Sequence, residues 1–309
     1  MNIEPIKQLK LFGLGKFFNE LVELDNKSKL PNKILLSGNK GLGKSTLAYH
    51  FTNYILSKDE EFSYDLDKYE INTKSRSFKT ILNRSNPNFK LIDVHLEKKF
   101  IDINQIRELI NDLNKSSFNN KPRIILIDNI ELLNVNSINA LLKILEEPST
   151  NIYFILIHNN KKILPTLLSR CLNFKIFLTH QESLKVANNL LEGQLTDIIN
   201  PELINFYSSP GNIYKLVSFG VKNNYELKEF DLKDFINLMI KDNQYKKDVI
   251  IRSLIFDFIE FYFRKINLSI TSSIYEKYTY FINRISETKK FNLDEESLFH
   301  EFEYKILNG

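Results

Sequence analysis

The first half of the chain alternates short apolar runs with stretches of helical period. Ile34-Leu35-Leu36 is a buried-strand run, and Leu47, Ala48, Phe51 and Ile55 then share one helical face. Leu91-Ile92-Asp93-Val94 reads as the next strand. Ile106, Leu109, Ile110 and Leu113 follow at helical spacing, with Asp102 and Gln105 placed for a capping box. Ile124 to Asp128 is an apolar strand that ends in a carboxylate. The helix through Ala140, Leu141, Leu142 and Leu145 follows it, and Pro148 is expected to stop that helix. Tyr153 to Ile157 is another buried strand, and a short helix and the strand Leu172–Phe177 complete the series. Continuous apolar strands between helices predict a parallel sheet covered on both faces, an α/β fold.

The second half changes character. Thr179-His180-Gln181-Glu182 is a capping box that opens a helix through Leu184, Ala187 and Leu191. This begins a small helical region that ends near Tyr214 to Phe219. From about Phe230 onward the pattern is amphipathic helix, rich in Phe, Tyr, Ile and Leu. The aromatic run from Phe256 to Phe263 is expected to be core rather than a base-stacking surface.

Between the first strand and the first long helix lies Gly38-Asn39-Lys40-Gly41-Leu42-Gly43-Lys44-Ser45, followed by Thr46. It matches G-x-x-x-x-G-K-[ST] at every fixed position and sits in the strand–loop–helix context that the motif needs. The glycines let backbone N–H groups turn inward around phosphate oxygens, and the positive end of the helix faces the same anion. Lys44 would reach the β and γ phosphates, and Ser45 would hold Mg²⁺. Read without its context, the same stretch is only a glycine turn. Asp128, at the C-terminal end of a buried strand downstream of a phosphate loop, stands where a second Mg²⁺-binding residue is expected. The next residue is Asn129, an amide that cannot accept a proton. Glu131, three residues on, is expected to be a solvated loop carboxylate.

Composition narrows the classes. A chain of 309 residues can bury a sizeable core and suggests two or three domains. No apolar run is long enough to span a membrane, and Met-Asn-Ile-Glu-Pro has no secretory pattern, so a cytoplasmic protein is expected. Cys171 is the single cysteine, which excludes an internal disulfide and a zinc site built from several cysteines. No two of the five histidines have metal-ligand context. A net charge of +4 is too small to argue nucleic-acid binding by itself.

Several strings together resemble the bacterial clamp-loader family of AAA+ proteins. They are Leu11-Phe12-Gly13, Ile106-Arg107-Glu108-Leu109, Leu126-Ile127-Asp128-Asn129, the run from Asn139 to Glu146-Glu147-Pro148, and Leu164-Pro165-Thr166-Leu167-Leu168-Ser169-Arg170-Cys171. They cover roughly residues 10 to 180, in order and with fitting spacing. The resemblance implies an AAA+ nucleotide-binding domain over 1–178, a helical lid over 179–225 and an all-α collar over 226–309. ATP and Mg²⁺ would bind at Gly38 to Thr46 and at Asp128. Arg170 would act in trans, reaching a neighbouring subunit's γ-phosphate. On the residues alone, Arg170 could equally be a surface arginine that closes a helix.

Within the family the chain resembles delta-prime subunits more than gamma/tau subunits. Hydrolysing members place a glutamate where this chain has Asn129. Gamma/tau proteins carry a four-cysteine zinc module where Ser57 to Phe89 has no cysteine. Their arginine in the lid falls where Ser208-Ser209-Pro210-Gly211-Asn212 has Gly211. His158-Asn159-Asn160 also looks like delta-prime, and Phe291-Asn292-Leu293-Asp294 does so weakly. The intact phosphate loop points the other way. The implied partners are gamma/tau and delta subunits in a hetero-pentamer, the sliding clamp and primer-template DNA. The implied assembly is the DNA polymerase III holoenzyme. The alternative is an ATP-hydrolysing gamma/tau-type subunit. A P-loop kinase of small metabolites fits neither the Ser-Arg-Cys string nor the helical tail. Cys171 is expected to be a small core residue, and no role is assigned to Glu146 and Glu147.

Overall fold

A computed structural model describes residues 4–94, 98, 100–113, 119–146, 151–159, 165–205, 208–247, 249–266, 272–291 and 293–308. Glu147, Pro148, Asn160, Leu164 and Asn292 lie outside the described residues. The chain divides into two compact units. One contains Met1–Asn189 with Ser209–Gly211, and the other Leu190–Ser208 with Asn212–Gly309.

The first unit contains α1 (Gly15–Asn26), β1 (Lys33–Ser37), α2 (Lys44–Ser57), α3 (Arg76–Leu82), β2 (Phe89–Ile92), α4 (Ile103–Leu113) and β3 (Arg123–Ile127). α5 (Val135–Glu146), β4 (Ile152–His158), α6 (Pro165–Leu168), β5 (Leu172–Lys175) and most of α7 (His180–Leu191) follow. The strands form a sheet of order β2-β3-β4-β1-β5, and every pair is parallel. Successive strand residues point to opposite faces. Ile34, Leu36, Ile124, Leu126, Ile155 and Ile157 therefore join a core with Phe18, Leu21, Leu47, Phe51 and Phe78. Leu35, Ile125, Ile127, Phe154 and Leu156 join another with Ile106, Leu109, Leu141, Leu145 and Leu167. α1, α2 and α3 cover one face and α4, α5 and α6 the other, which accounts for the unbroken apolar strands.

Local chemistry sets several boundaries. Glu182 Oε2 accepts from Thr179 N at 2.7 Å and Thr179 Oγ1 accepts from Glu182 N at 3.2 Å, a complete capping box. At α4 Asp102 N donates to Gln105 Oε1 at 3.0 Å, and Asp102 Oδ1 accepts from Asn104 N at 3.1 Å. The second strand runs Phe89–Ile92 rather than 91–94. Its register starts at Phe89↔Ile124, and the Asp93 carboxylate then accepts from Val94 N at 2.7 Å and turns the chain. The fifth strand stops at Lys175, two residues short of expectation.

α2 is buried almost all round rather than on one stripe. A helix between the sheet and further chain has no solvated face, so its polar residues must find partners inside. His50, fully buried, has Nδ1 2.9 Å from Tyr64 Oη and Nε2 3.0 Å from the Gln8 carbonyl. The segment after α2, where no cysteine stands, closes around Glu60. Its carboxylate accepts from Ser75 Oγ at 2.8 Å and Ser77 Oγ at 2.5 Å, and Lys121 Nζ lies 3.6 Å away. Burial opposes ionisation of Glu60, but the serine hydrogen bonds and Lys121 outweigh it and hold its pKa below the usual value.

The second unit is helical, with α8 (Leu195–Ile198), most of α9 (Pro210–Lys222), α10 (Leu232–Lys241), α11 (Gln244–Lys247), α12 (Val249–Ile266), α13 (Ser272–Phe291) and α14 (Glu295–Phe302). Asp231 caps α10 through Asp234 N, and Asp294 caps α14 through Ser297 N. Phe263, Phe281 and Phe302 meet with ring centroids 5.3 to 5.8 Å apart. Phe256, Phe258 and Phe263 are core, as their spacing implied. Among the described residues no helix is long and apolar enough to cross a membrane.

His50 gives this fold an acid sensitivity. Burial pulls its pKa down to about 4, against the raising effect of the Gln8 carbonyl. The folded state keeps it neutral while the unfolded chain takes up a proton below about pH 6.5. Stability is therefore full above that pH and falls as pH drops toward 4, by about 3 kcal/mol in all. Urea unfolding at pH 7 and pH 5 should show about 2 kcal/mol of this loss in the wild type. A His50→Gln variant should be less stable at pH 7 but flatter across the interval. An equal slope in the two proteins would exclude His50 as the cause.

Candidate functional site

Parallel strands bring all their C-terminal ends to one edge of the sheet, and the candidate residues gather there. β1 ends at Ser37, and the loop from Gly38 leads into α2. Gly38, Gly41 and Gly43 have φ of 152°, 85° and 86°, the region that favours glycine. At Gly38 a Cβ would also meet the Ile176 carbonyl at 2.3 Å, so any side chain would displace the loop. Asn39 and Lys40 are exposed at the loop tip, Leu42 is buried in the core, and Thr46 is partly buried in the first turn of α2.

Lys44, Ser45 and Asp128 lie close together. Ser45 Oγ donates to Asp128 Oδ2 at 2.5 Å. Lys44 Nζ donates to the carbonyls of Gly38 at 2.9 Å and Asn39 at 2.7 Å. Burial raises the Asp128 pKa to about 6, with Asp93 adding to the rise and Ser45 opposing it. Burial likewise lowers the Lys44 pKa to about 8, although Asp128 and Glu131 pull it up. Both charged forms are thus disfavoured by their surroundings. An anion at Lys44 and a divalent cation at Asp128 and Ser45 would reverse both effects. The donor set suits a polyphosphate with its metal. Among the described residues no group of three or more His, Cys, Asp or Glu side chains is arranged to hold a metal ion.

Asp93 and Asn159, to which the sequence reading gave no chemical role, complete this edge. Asp93 follows β2 as Asp128 follows β3, and the register Leu91↔Leu126, Ile92↔Ile127 sets the two carboxylates on adjacent strands. The repeated string Leu-Ile-Asp was the available signal. Asn129 has φ 55° and donates from Nδ2 to Asp93 Oδ1 at 2.9 Å. Its Oδ1 accepts from Asn159 Nδ2, also at 2.9 Å. Asn159 donates further to Glu131, from Nδ2 at 3.0 Å and from its backbone N at 3.3 Å. Glu131 is therefore not the solvated loop carboxylate that was expected. Tertiary placement of Asn159 after β4, a contact 28 residues away in sequence, gives it a partner.

Gly211, which belongs to the same compact unit, donates its N–H to the Gly41 carbonyl at 3.0 Å. A Cβ at Gly211 would stand 2.9 Å from the Cα and O of Gly41. That contact is with backbone and cannot be relieved by a rotamer change, so no side chain fits here in this arrangement.

Arg170 does not join the Lys44 cluster. α6 is anchored by buried Leu167, and the turn after it carries Arg170 with its side chain 33% exposed. Nη1 donates to the Thr166 carbonyl at 2.8 Å and Nη2 to Glu146 Oε1 at 2.6 Å. Cys171 packs against the core beside β1, and burial pushes its thiol up to about 11, so it is no nucleophile.

The sequence profile of a family described as "DNA polymerase III, delta subunit" matches residues 13–179, more than half of the chain. The chain is 27% identical over 150 residues to "DNA polymerase III subunit delta'" of Pseudomonas aeruginosa, covering 48% of this chain and 44% of that protein. It is 29% identical over 208 residues to "DNA polymerase III subunit gamma" of Buchnera aphidicola subsp. Schizaphis graminum, covering 56% of this chain and 51% of that protein. The matched stretch thus spans about half the length of these curated relatives. A delta' subunit of Buchnera aphidicola subsp. Acyrthosiphon pisum is 27% identical over 282 residues, 86% of this chain and 82% of that one. Among solved structures, a gamma subunit-related protein of Thermotoga maritima overlays with TM-score 0.45 at 16% identity, covering 91% of this chain and 96% of that one.

The Asn129 contacts yield a prediction. In Asn129→Asp an oxygen replaces the donor that faces Asp93 Oδ1, and two carboxylates oppose each other. The isolated chain should lose about 1–3 kcal/mol at pH 7. The loss should shrink below pH 5 as one of the pair takes up a proton, so the sign is opposite to that of the His50 effect. Denaturant unfolding of both proteins at pH 7 and pH 4.5 checks it. Equal stability at pH 7 would mean that the Asn129–Asp93 contact carries no weight.

Proposed function

The chain belongs to the DNA polymerase III, delta subunit family, and we propose that it serves as the delta-prime subunit of that polymerase's clamp loader. In this reading it binds ATP·Mg²⁺ without turning it over and completes the ATPase site of a neighbouring subunit with Arg170. It works in a hetero-pentamer with gamma/tau and delta subunits that places the sliding clamp on primer-template DNA.

Asn129 carries the reading. General-base activation of water needs a group that can accept a proton, and an amide cannot. Both polar atoms of the Asn129 side chain are also engaged, with Asp93 and Asn159. Gly211 adds to this, because the backbone of Gly41 leaves no room there for a side chain that could reach a nucleotide. Lys44, Ser45 and Asp128 would still hold nucleotide and metal. Arg170 is exposed enough to meet a partner and is the cation assigned to the neighbour's γ-phosphate, where charge develops as the phosphoryl group leaves.

A second reading is an ATP-hydrolysing gamma/tau-type subunit. The intact phosphate loop and the gamma-subunit relative favour it. Steady-state ATPase separates the two. The purified chain should bind ATP·Mg²⁺, lose binding on Lys44→Ala, and release phosphate no faster than that variant. Robust turnover that Lys44→Ala abolishes would reverse the assignment.

Arg170 is tested in the assembled complex. Arg170→Ala should change the stability of the isolated chain by no more than about 0.5 kcal/mol, as for an ordinary surface substitution. It should incorporate normally, because assembly is assigned to the helices after residue 226. ATPase at the adjacent site and clamp loading should fall about 10²–10³-fold. Equal loading rates with confirmed incorporation would remove the trans role.

A further inference from the structure

Glu146 is the last described residue of α5. Its Oε1 accepts from Nη2 of Arg170, 24 residues away, at 2.6 Å. The guanidinium is gripped from two elements at once, by the Thr166 carbonyl of α6 through Nη1 and by Glu146 through Nη2. The pair is too exposed to matter much for stability. With side chains 33% and 55% accessible, such a bridge is largely screened by solvent. It does select an orientation. A free arginine samples many rotamers, and two bonds to one edge of the planar fork fix the direction of the rest. A guanidinium has five N–H donors in fixed geometry, so the donors not used by Thr166 and Glu146 remain to meet an anion.

We propose that Glu146 is a positioning residue for Arg170: it holds the guanidinium in the orientation from which Arg170 engages the neighbouring subunit's phosphate. The proposal rests on the trans role argued above and deepens it. A positioning group acts on the transition state more than on substrate binding, because a displaced cation still attracts the nucleotide but meets the developing charge poorly.

The test uses the reconstituted clamp loader and the full-length chain. Glu146→Ala should lower kcat at the adjacent ATPase site by about tenfold with KM and incorporation unchanged. Glu146→Gln, which keeps an acceptor for Nη2, should recover part of that loss. The double variant Glu146→Ala/Arg170→Ala should be no slower than Arg170→Ala alone, because two residues that act through one group are not additive. In the isolated chain, ¹⁵N relaxation at Arg170 Nε should report a more mobile side chain in Glu146→Ala than in wild type. Wild-type kcat in Glu146→Ala, or a further drop in the double variant, would overturn the positioning role while leaving Arg170 in place. Wild-type activity in Arg170→Ala would overturn both.

Discussion

A fully parallel sheet sends every strand's C-terminal end to the same edge, and the site follows from that constraint. β1 and β3 are not neighbours; β4 lies between them in the order β2-β3-β4-β1-β5. The loop after β1 and the carboxylate after β3 can still meet, because α2 leans its first turn across the edge and Ser45 Oγ reaches Asp128. Asn159, at the end of the strand between them, then ties Asn129 to Glu131. Asp93 enters from β2 one register position away. In an antiparallel sheet half of these groups would sit on the opposite edge.

The same geometry makes the edge costly. It collects Asp93, Asp128, Glu131 and Lys44 in partly dry surroundings, and the raised Asp128 pKa and lowered Lys44 pKa measure that cost. A site that disfavours its own charges would gain most from a ligand of complementary charge. Stability must come from elsewhere. In the first unit it comes from the two apolar layers that sandwich the sheet, and in the second from the aromatic packing of α10, α12, α13 and α14.

Features with local causes were legible in the sequence. The strand–loop–helix order around Gly38 to Ser45, the presence of the apolar strands and the Thr179–Glu182 capping box each depend on residues within a few positions of one another, and the pattern found each of them. Strand ends were less legible, since pairing decides them: the β3 register starts β2 at Phe89, and Asp93 ends it. The periodicity in α2 marked one buried face but could not announce that further chain covers the others. Least legible were the long-range polar contacts. Glu131 with Asn159, Asn129 with Asp93, Arg170 with Glu146 and Gly211 with Gly41 join residues 24 or more positions apart. A carboxylate or amide has no periodicity that names its partner. The Leu-Ile-Asp string shared by β2 and β3 was the exception, because equal strands in parallel register put equal positions side by side.

Asn129 joins these points. An amide can donate to one neighbour and accept from another, and at this position it does both, between the Asp93 carboxylate and the Asn159 amide. A carboxylate here could accept from Asn159 but would oppose Asp93 at hydrogen-bond distance, with Asp128 next in the chain. Two such groups cannot both ionise cheaply in a partly dry site. The edge is therefore built around the amide, whose two polar atoms are matched to Asp93 and Asn159. A carboxylate at position 129 would be accommodated only if Asp93 changed with it. By the same logic, Arg170 and Glu146 lie clear of that edge, held by α6 and the end of α5. The Lys44–Ser45–Asp128 cluster and the Arg170–Glu146 pair thus rest on separate residues and can be altered independently.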